Sequence, residues 1–389
     1  METVKTATEL PIAFIDLAAQ QRRLRRDLDS AIATVLDEGA YIMGPQVAQF
    51  EKELAAFCGA KHALGCANGT DAIQLALMAL GVGPGDAVLV PSFTFAATAE
   101  VVALVGATPV FVDSATDTFN MDIASLERTL EHVEGRGIEP KVIMPVDLFG
   151  LPADYAKIQD IADARGLTVV CDSAQGFGGT IEGRMTGTFG KVTTTSFFPA
   201  KPLGCYGDGG AVFTDDDELA AVIRSLRVHG KGDHKYDNVR VGLNSRLDTL
   251  QAAILSVKLS VYAEEIAARD AVAQRYAAGL TQRVSIPRLP EGYGSVWAQY
   301  TVILPDDIDR DALQDRLKDR GVPTAVYYGK PLHLQTAYAG NPGDPDGLST
   351  CERLGDRVLS LPMHPYLDES AQDRIVSAFN AVIDEIGRT

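Results

Sequence analysis

Lys201 sits between Pro199 and Pro202, within the stretch KVTTTSFFPAKPLGCYGDGGA that runs from Lys191 to Ala211. A β-branched strand, Val192 to Thr195, leads through Ser196 to Phe198, and a glycine-dense turn follows at Gly204, Gly207, Gly209 and Gly210. Proline on both sides fixes φ and rules out a continuing helix, so the lysine is held on a stiff, irregular segment. The glycines let the backbone pass close to a bound group. An amine held in this way becomes nucleophilic when it is desolvated or lies near another cation, which suits Schiff-base chemistry. Taken alone, a lysine in a Pro/Gly loop is more often a surface side chain.

Other residues change that balance. Asp172 closes the apolar run Leu167–Cys171, with Gln175 three residues on. A carboxylate there serves equally as a helix cap or as the partner of a cofactor ring nitrogen. Gly69 and Thr70 follow Asn68 at the start of a helix, where free N–H groups and the macrodipole favour a phosphate, though any helix start shares that feature. Phe95 stands just past a strand end, placed to stack on a flat heterocycle or to pack in a core. Ser196 offers a second phosphate donor. A Schiff-base lysine, an acid for a pyridinium nitrogen and a phosphate cradle are the parts that pyridoxal phosphate requires, so that cofactor is expected.

These residues share a crevice only if the elements between them alternate correctly. Seven apolar strand candidates are spaced along the chain: 62–68, 87–92, 108–113, 141–148, 167–172, 191–198 and 210–215. Helical segments separate them, with 71–80 and 96–105 between the first pairs, which is the pattern of a mostly parallel sheet covered by helices. In such sheets ligands bind at the carboxyl ends of the strands, where the residues above lie. Helices are expected at 17–38 and 47–58 ahead of the sheet, and a long one at 247–279 after it. The remainder reads as strand 299–304, helix 310–320, strand 324–328, an exposed loop at 342–347 and a closing helix, 370–386. The expected division is a large cofactor-binding domain, 1–265, and a smaller C-terminal α+β domain, 266–389.

Composition narrows the class. Of 389 residues, 46% are hydrophobic and 22% charged, as in ordinary globular enzymes. A formal net charge of −17 disfavours nucleic acid or an anionic membrane as partner. The five cysteines are scattered with no C-x-x-C pair, which argues for a reducing compartment and against structural zinc. The six histidines form no H-x-x-x-H pair, so no metal is expected. The start METVKTATEL has no signal-peptide pattern, and no apolar run is long enough to span a membrane. A cytoplasmic enzyme is the expectation.

The motifs ANGTDAIQLAL, PSFTFAATAE, DSAQGFG, SFFPAKPLGCYGDGGA and GLNSRLDTLQAAIL carry a resemblance that runs from Phe14 to Leu367. The sequence resembles the DegT-type sugar-nucleotide aminotransferases, fold type I (aspartate aminotransferase-like) pyridoxal-phosphate enzymes. Within that family it is most similar to those that aminate UDP-2-acetamido-2-deoxy-3-oxo-glucuronate for surface polysaccharides. The resemblance implies that Lys201 links to the cofactor, Asp172 pairs with its ring nitrogen and Phe95 stacks on its ring. Gln175 would lie by its 3-hydroxyl, and Gly69, Thr70 and Ser196 would hold its phosphate. Asn244 would reach the cofactor phosphate of a neighbouring subunit, which makes a homodimer the active form.

Arg246, in the same Asn-Ser-Arg motif, is the candidate cation for a substrate carboxylate, with a structural salt bridge at a domain joint as its other reading. The segment Tyr327-Tyr328-Gly329-Lys330-Pro331-Leu332-His333 departs from a His-Tyr pattern and is implied to line the sugar pocket through Tyr327, Tyr328 and His333. The expected reaction is ping-pong transamination from L-glutamate to a nucleotide-linked keto-sugar, with Lys201 moving the proton. A 3-keto or 4-keto 6-deoxy-sugar linked to dTDP or UDP is the alternative acceptor. A non-catalytic regulatory protein on the same fold is the remote alternative, disfavoured by the retained lysine.

Overall fold

In the computed structural model, residues 11–387 are described, except Gly137 and Lys235. The centre is a seven-stranded sheet of β1 (His62–Cys66), β2 (Asp86–Pro91), β3 (Thr108–Val112), β4 (Glu139–Ile143), β5 (Thr168–Asp172), β8 (Val192–Ser196) and β9 (Gly210–Thr214). Its order is β1-β9-β8-β5-β4-β2-β3. All neighbours are parallel except β9, which runs antiparallel to both β1 and β8. The two-residue strands β6 (Thr180–Ile181), β7 (Arg184–Met185) and β10 (Tyr293–Gly294) make a small separate sheet.

Helices bury both faces of the sheet, so most strands read as apolar runs, while the buried threonines of β8 donate their hydroxyls to backbone carbonyls. On one face Val88, Val90, Val142, Val170 and Val212 pack with α3 (Gly69–Ala79), α4 (Ala97–Leu104) and α7 (Asp217–Leu226). The alternate residues Ala87, Leu89, Val110, Ile143 and Val169 face α5 (Ile123–Glu134) and α6 (Tyr155–Arg165). Near β1 and β9 the covering helices are α2 (Pro45–Cys58) and the start of α8 (Thr249–Gly279). α1 (Leu17–Glu38) lies along α8 through Leu24, Leu28 and Ile254.

The C-terminal part builds a second core. β11 (Tyr300–Ile303) and β12 (Val358–Leu361) pair antiparallel and pack with the end of α8, α9 (Arg310–Asp319) and α11 (Glu369–Ile386). α8 crosses position 265 unbroken: Leu255 and Tyr262 belong to the sheet's core and Val272 and Tyr276 to the C-terminal core. α10 (Ser349–Arg357) inserts Cys351 and Leu354 beside the sheet's helices. We propose the division near 265 as one of chain segments, joined by this helix.

Two expectations are corrected. Residues 324–328 form no strand. Ala325 makes one antiparallel bridge to Ser360, and the chain then turns away to place Tyr328 against the sheet's strand ends. The partner of β11 is instead β12. The loop at 342–347 is only partly exposed, because it docks on the edge strand β3: Phe111 N donates to the Pro342 carbonyl (2.9 Å) and Asp344 N to the Phe111 carbonyl (3.0 Å). Asp344 is buried and accepts from Arg128 (2.7 Å). A loop laid here covers unpaired backbone groups that an edge strand would expose.

Candidate active site

Asp172 is the last residue of β5, buried at its carboxyl end. Its Oδ1 accepts from Ala174 N (3.1 Å) and its Oδ2 from Thr98 Oγ1 (3.1 Å). Burial pushes this carboxyl above its ordinary range, while the Ala174 amide, the charge of Lys201 and the Thr98 hydroxyl oppose the rise. Burial likewise pushes the Lys201 ammonium down, and Asp172 pulls it partly back. Each charge therefore supports the other where neither is well solvated. The turn that carries the lysine closes through Lys201 N to the Phe198 carbonyl (2.8 Å), and its later part is held by Lys258 of α8, whose Nζ donates to the Gly204 carbonyl (2.5 Å).

The phosphate side is built by the insertion of β9. Because β9 runs antiparallel between β1 and β8, the ends of β1 and β8 and the start of β9 meet at one edge of the crevice. There a Cβ on Gly69 would lie 2.6 Å from Ser196 Cβ, and a Cβ on Gly210 would strike the Asn68 carbonyl. Glycine at both places lets the start of α3 close over β9 onto Ser196. Asn68 caps α3 by accepting from Asp71 N (2.8 Å), which leaves the Gly69 and Thr70 N–H groups with no hydrogen-bond partner among the described residues. Free amides at a helix start beside a serine hydroxyl form an anion cradle. The cradle, the acid and the amine with lowered basicity fit pyridoxal phosphate.

Another side of the crevice is aromatic. Phe95 is 55% exposed although it is a large apolar side chain, and its ring centroid lies 6.2 Å from that of Tyr328. Tyr328 OH accepts from Gln175 Nε2 (3.1 Å), and Gln175 Oε1 accepts from Phe149 N (2.9 Å), so that amide is fixed in orientation. Tyr327 lies 6.3 Å from Phe14. His333 is tied into the frame: its Nδ1 is 2.7 Å from Ser92 Oγ and its Nε2 is 3.2 Å from Glu352. Ser245 Oγ accepts from Ala67 N (3.2 Å), which sets the Asn-Ser-Arg motif beside the cradle. Asn244 is exposed there, and Arg246 is half-buried with no hydrogen bond or ion pair among the described residues.

Three residues that sequence reasoning did not single out support these. Thr98 donates to Asp172, and Lys258 braces the lysine turn. Asp147, after β4, is fully buried and accepts from Ser173 Oγ, from Tyr155 OH (2.6 Å) and from Ala153 N (2.9 Å), while its own N–H donates to the Asp172 carbonyl (2.9 Å). Burial lifts its carboxyl to about 7. One signal was available: Asp147 falls inside a predicted apolar strand end, like Asp172.

A family model described as the DegT/DnrJ/EryC1/StrS aminotransferase family matches residues 23–380. The chain belongs to that family. It is 48% identical to the UDP-2-acetamido-2-deoxy-3-oxo-D-glucuronate aminotransferase of Pseudomonas aeruginosa, over 94% of this chain and 99% of that one. A DegT/DnrJ/EryC1/StrS aminotransferase structure from Brucella abortus superimposes with a TM-score of 0.93 at 53% identity, covering 95% of this chain and 99% of the other. NtdA from Bacillus subtilis, solved with bound cofactor PMP, does so with a TM-score of 0.86 at 30% identity, over 98% and 87%. The fold is that of these aminotransferases, the cofactor is pyridoxal phosphate and the chain is an aminotransferase.

Proposed function

We propose that this aminotransferase moves an amino group from L-glutamate to UDP-2-acetamido-2-deoxy-3-oxo-glucuronate, in the synthesis of amino sugars for surface polysaccharides. The observation that carries the substrate reading is Arg246, half-buried and unpaired among the described residues beside the phosphate cradle. A guanidinium in that position fits a uronate carboxylate through two parallel hydrogen bonds. The 48% identity to a uronate aminotransferase supports the same assignment.

Pyridoxal phosphate, when bound, supplies the electron sink for proton removal at the amino-bearing carbon. Lys201 carries that proton on Nζ, its basicity lowered by burial so that it can both accept and return it. Asp172 would hold a negative charge for the ring nitrogen. The Gly69 and Thr70 amides and Ser196 would bind the phosphate, and Phe95 and Gln175 would hold the ring. Tyr327, Tyr328 and His333 line the sugar side.

We also propose that the active form is a homodimer in which Asn244 reaches the partner's cofactor phosphate. Tyr41, Ile42 and Met43 are each more than 40% exposed, an apolar patch unusual for a solvated loop. That loop is fixed beside the Asn244 segment by a bridge from Ile42 to Asp248. A cytoplasmic site for the reaction is supported by the five cysteines, all buried free thiols. No helix among the described residues is long and apolar enough to cross a membrane.

The test is a reverse half-reaction panel. The loaded protein meets UDP- and dTDP-linked 3-amino and 4-amino sugars, with and without the uronate carboxylate, and the change in cofactor absorbance is followed. Reaction with the UDP-linked 3-amino uronate alone, lost in Arg246→Leu, is the expected result. Equal reaction of a neutral dTDP-amino sugar would overturn the substrate assignment and leave the cofactor chemistry standing.

A further inference from the structure

The side chain of Thr98 is used in an unusual way. It occupies the first turn of α4, is fully buried, and neighbours Thr94, also buried, with their hydroxyl oxygens 3.4 Å apart. A buried helical threonine ordinarily satisfies its hydroxyl on a carbonyl one turn back. Thr98 instead donates across the crevice to Asp172 Oδ2, 74 residues away in sequence. The Ala174 amide occupies the other oxygen, so each carboxylate oxygen holds one protein donor and keeps a lone pair free.

We infer that Thr98 is a positioning residue for the transamination: it aims Asp172 at the cofactor's ring nitrogen and keeps its charge dispersed. The inference rests on the cofactor reading given above and goes one step behind it. A hydroxyl donating to a carboxylate makes a charge-assisted bond, which stabilises the ionised form against the burial that opposes it. It also fixes the rotation of the carboxylate plane, which one amide contact alone leaves free. The side chain of Thr98 reaches Asp172 and Thr94, so its effect is transmitted through Asp172. The charged or titratable groups that share Asp172's electrostatic surroundings are Lys201, Asp147 and Tyr328.

The test compares Thr98→Val, which is close to isosteric, and Thr98→Ser, which keeps the hydroxyl, with wild type, all loaded with pyridoxal phosphate. The pH midpoint of the visible cofactor absorbance is titrated, and the L-glutamate half-reaction is timed. Without the donor, the negative charge on Asp172 is more concentrated and favours the cationic form of the lysine–cofactor linkage. The Thr98→Val midpoint therefore rises by about half a pH unit, and the maximal rate falls about tenfold at nearly constant glutamate KM. Thr98→Ser stays with wild type in both.

A Thr98→Val protein that melts earlier but keeps the wild-type midpoint and rate overturns the inference, because that is what a purely structural threonine gives. Should Thr98→Val not be recovered folded, Thr98→Ala removes the same donor and is read in the same way. A wild-type protein with no cofactor band overturns the cofactor reading and this inference together. A normal wild-type band with an unmoved variant overturns this inference alone.

Discussion

Asp147 offers a measurement that needs neither cofactor nor substrate. It is fully buried with three donors on its carboxyl, and burial outweighs them to lift it to about 7 from an ordinary 3.8. The folded chain therefore holds a proton on Asp147 at pH values where the unfolded chain has released it. Stability contributed by that proton is complete below the ordinary carboxylate range, declines as pH rises and is gone above about 7. Each pH unit in the window is worth about 1.36 kcal/mol. The variant Asp147→Asn has no titrating group at this position and lacks the slope. Loss of a carboxylate acceptor for Ser173 adds an offset of about 1–3 kcal/mol that hardly depends on pH.

The assay is urea unfolding of the cofactor-free protein and of Asp147→Asn at pH 5.5, 6.5 and 7.5. The lower limit stays clear of the sequence pI near 4.8. Between pH 5.5 and 7.5 the wild type loses about 2 kcal/mol relative to the variant, because about 1.5 units of the window lie in that range. Groups common to both proteins cancel in the difference. Two stability curves that stay parallel from pH 5.5 to 7.5 would refute the reasoning, since they would mean that Asp147 is ionised in the fold throughout.

Lys201→Ala drops turnover to background while leaving the melting temperature close to wild type; turnover near the wild-type rate would remove Lys201 from the mechanism. Asp172→Asn slows the glutamate half-reaction and leaves the circular dichroism spectrum unchanged, and an unaltered rate would contradict the ring-nitrogen role. Gly69→Ala forces a Cβ to within 2.6 Å of Ser196 Cβ, so cofactor affinity measured by fluorescence quenching falls about 10- to 100-fold, and an unchanged affinity would refute the cradle. Lys258 is depressed to about 8 by burial, so above pH 8 the unfolded chain binds the extra proton and stability rises with pH. Relative to Lys258→Met, the wild type gains about 2 kcal/mol between pH 7.5 and 9.5 in urea unfolding, and a constant difference would contradict the depressed value.

Much of this arrangement was legible in the sequence because the sheet is buried on both faces. Parallel strands covered on both sides need no alternation, so most appear as apolar runs stopped by a polar residue, and six of the seven lie where those runs are. β4 starts earlier, at Glu139, and ends at Ile143 instead of running on to 148. The residues proposed for the chemistry sit at or just past those stops, which is why Asp172, Ser196 and Gly69 could be picked out together. What was not legible depends on pairing between distant segments. Residues 324–328 have strand composition, but Tyr328 is drawn to Gln175, 153 residues earlier, after a single bridge. Thr98 and Asp147 resembled ordinary helix and strand residues, since their importance lies in bonds to Asp172 and Ser173 that spacing does not reveal. Conversely, the Pro/Gly-rich loop at 342–347 looked exposed because its docking partner is the edge of β3.

The same distinction explains why the cofactor was easier to read than the sugar. The groups proposed to hold the cofactor lie at the ends of neighbouring strands, and the order β1-β9-β8-β5 brings them together. One antiparallel strand inserted between β1 and β8 places a helix start, a serine and an acid along one edge, with glycine at 69 and 210 where the backbones must touch. The proposed sugar side is assembled differently. It joins a loop after α7, the aromatic turn at 327–328 and, in the proposed dimer, a second copy. Isolated contacts rather than the sheet ladder hold those pieces, such as the Ile42–Asp248 bridge and Leu332 N donating to the Ser92 carbonyl. A cation such as Arg246, half-buried and unpaired among the described residues in a chain with 52 acidic and 35 basic residues, fits a carboxylate brought by the substrate.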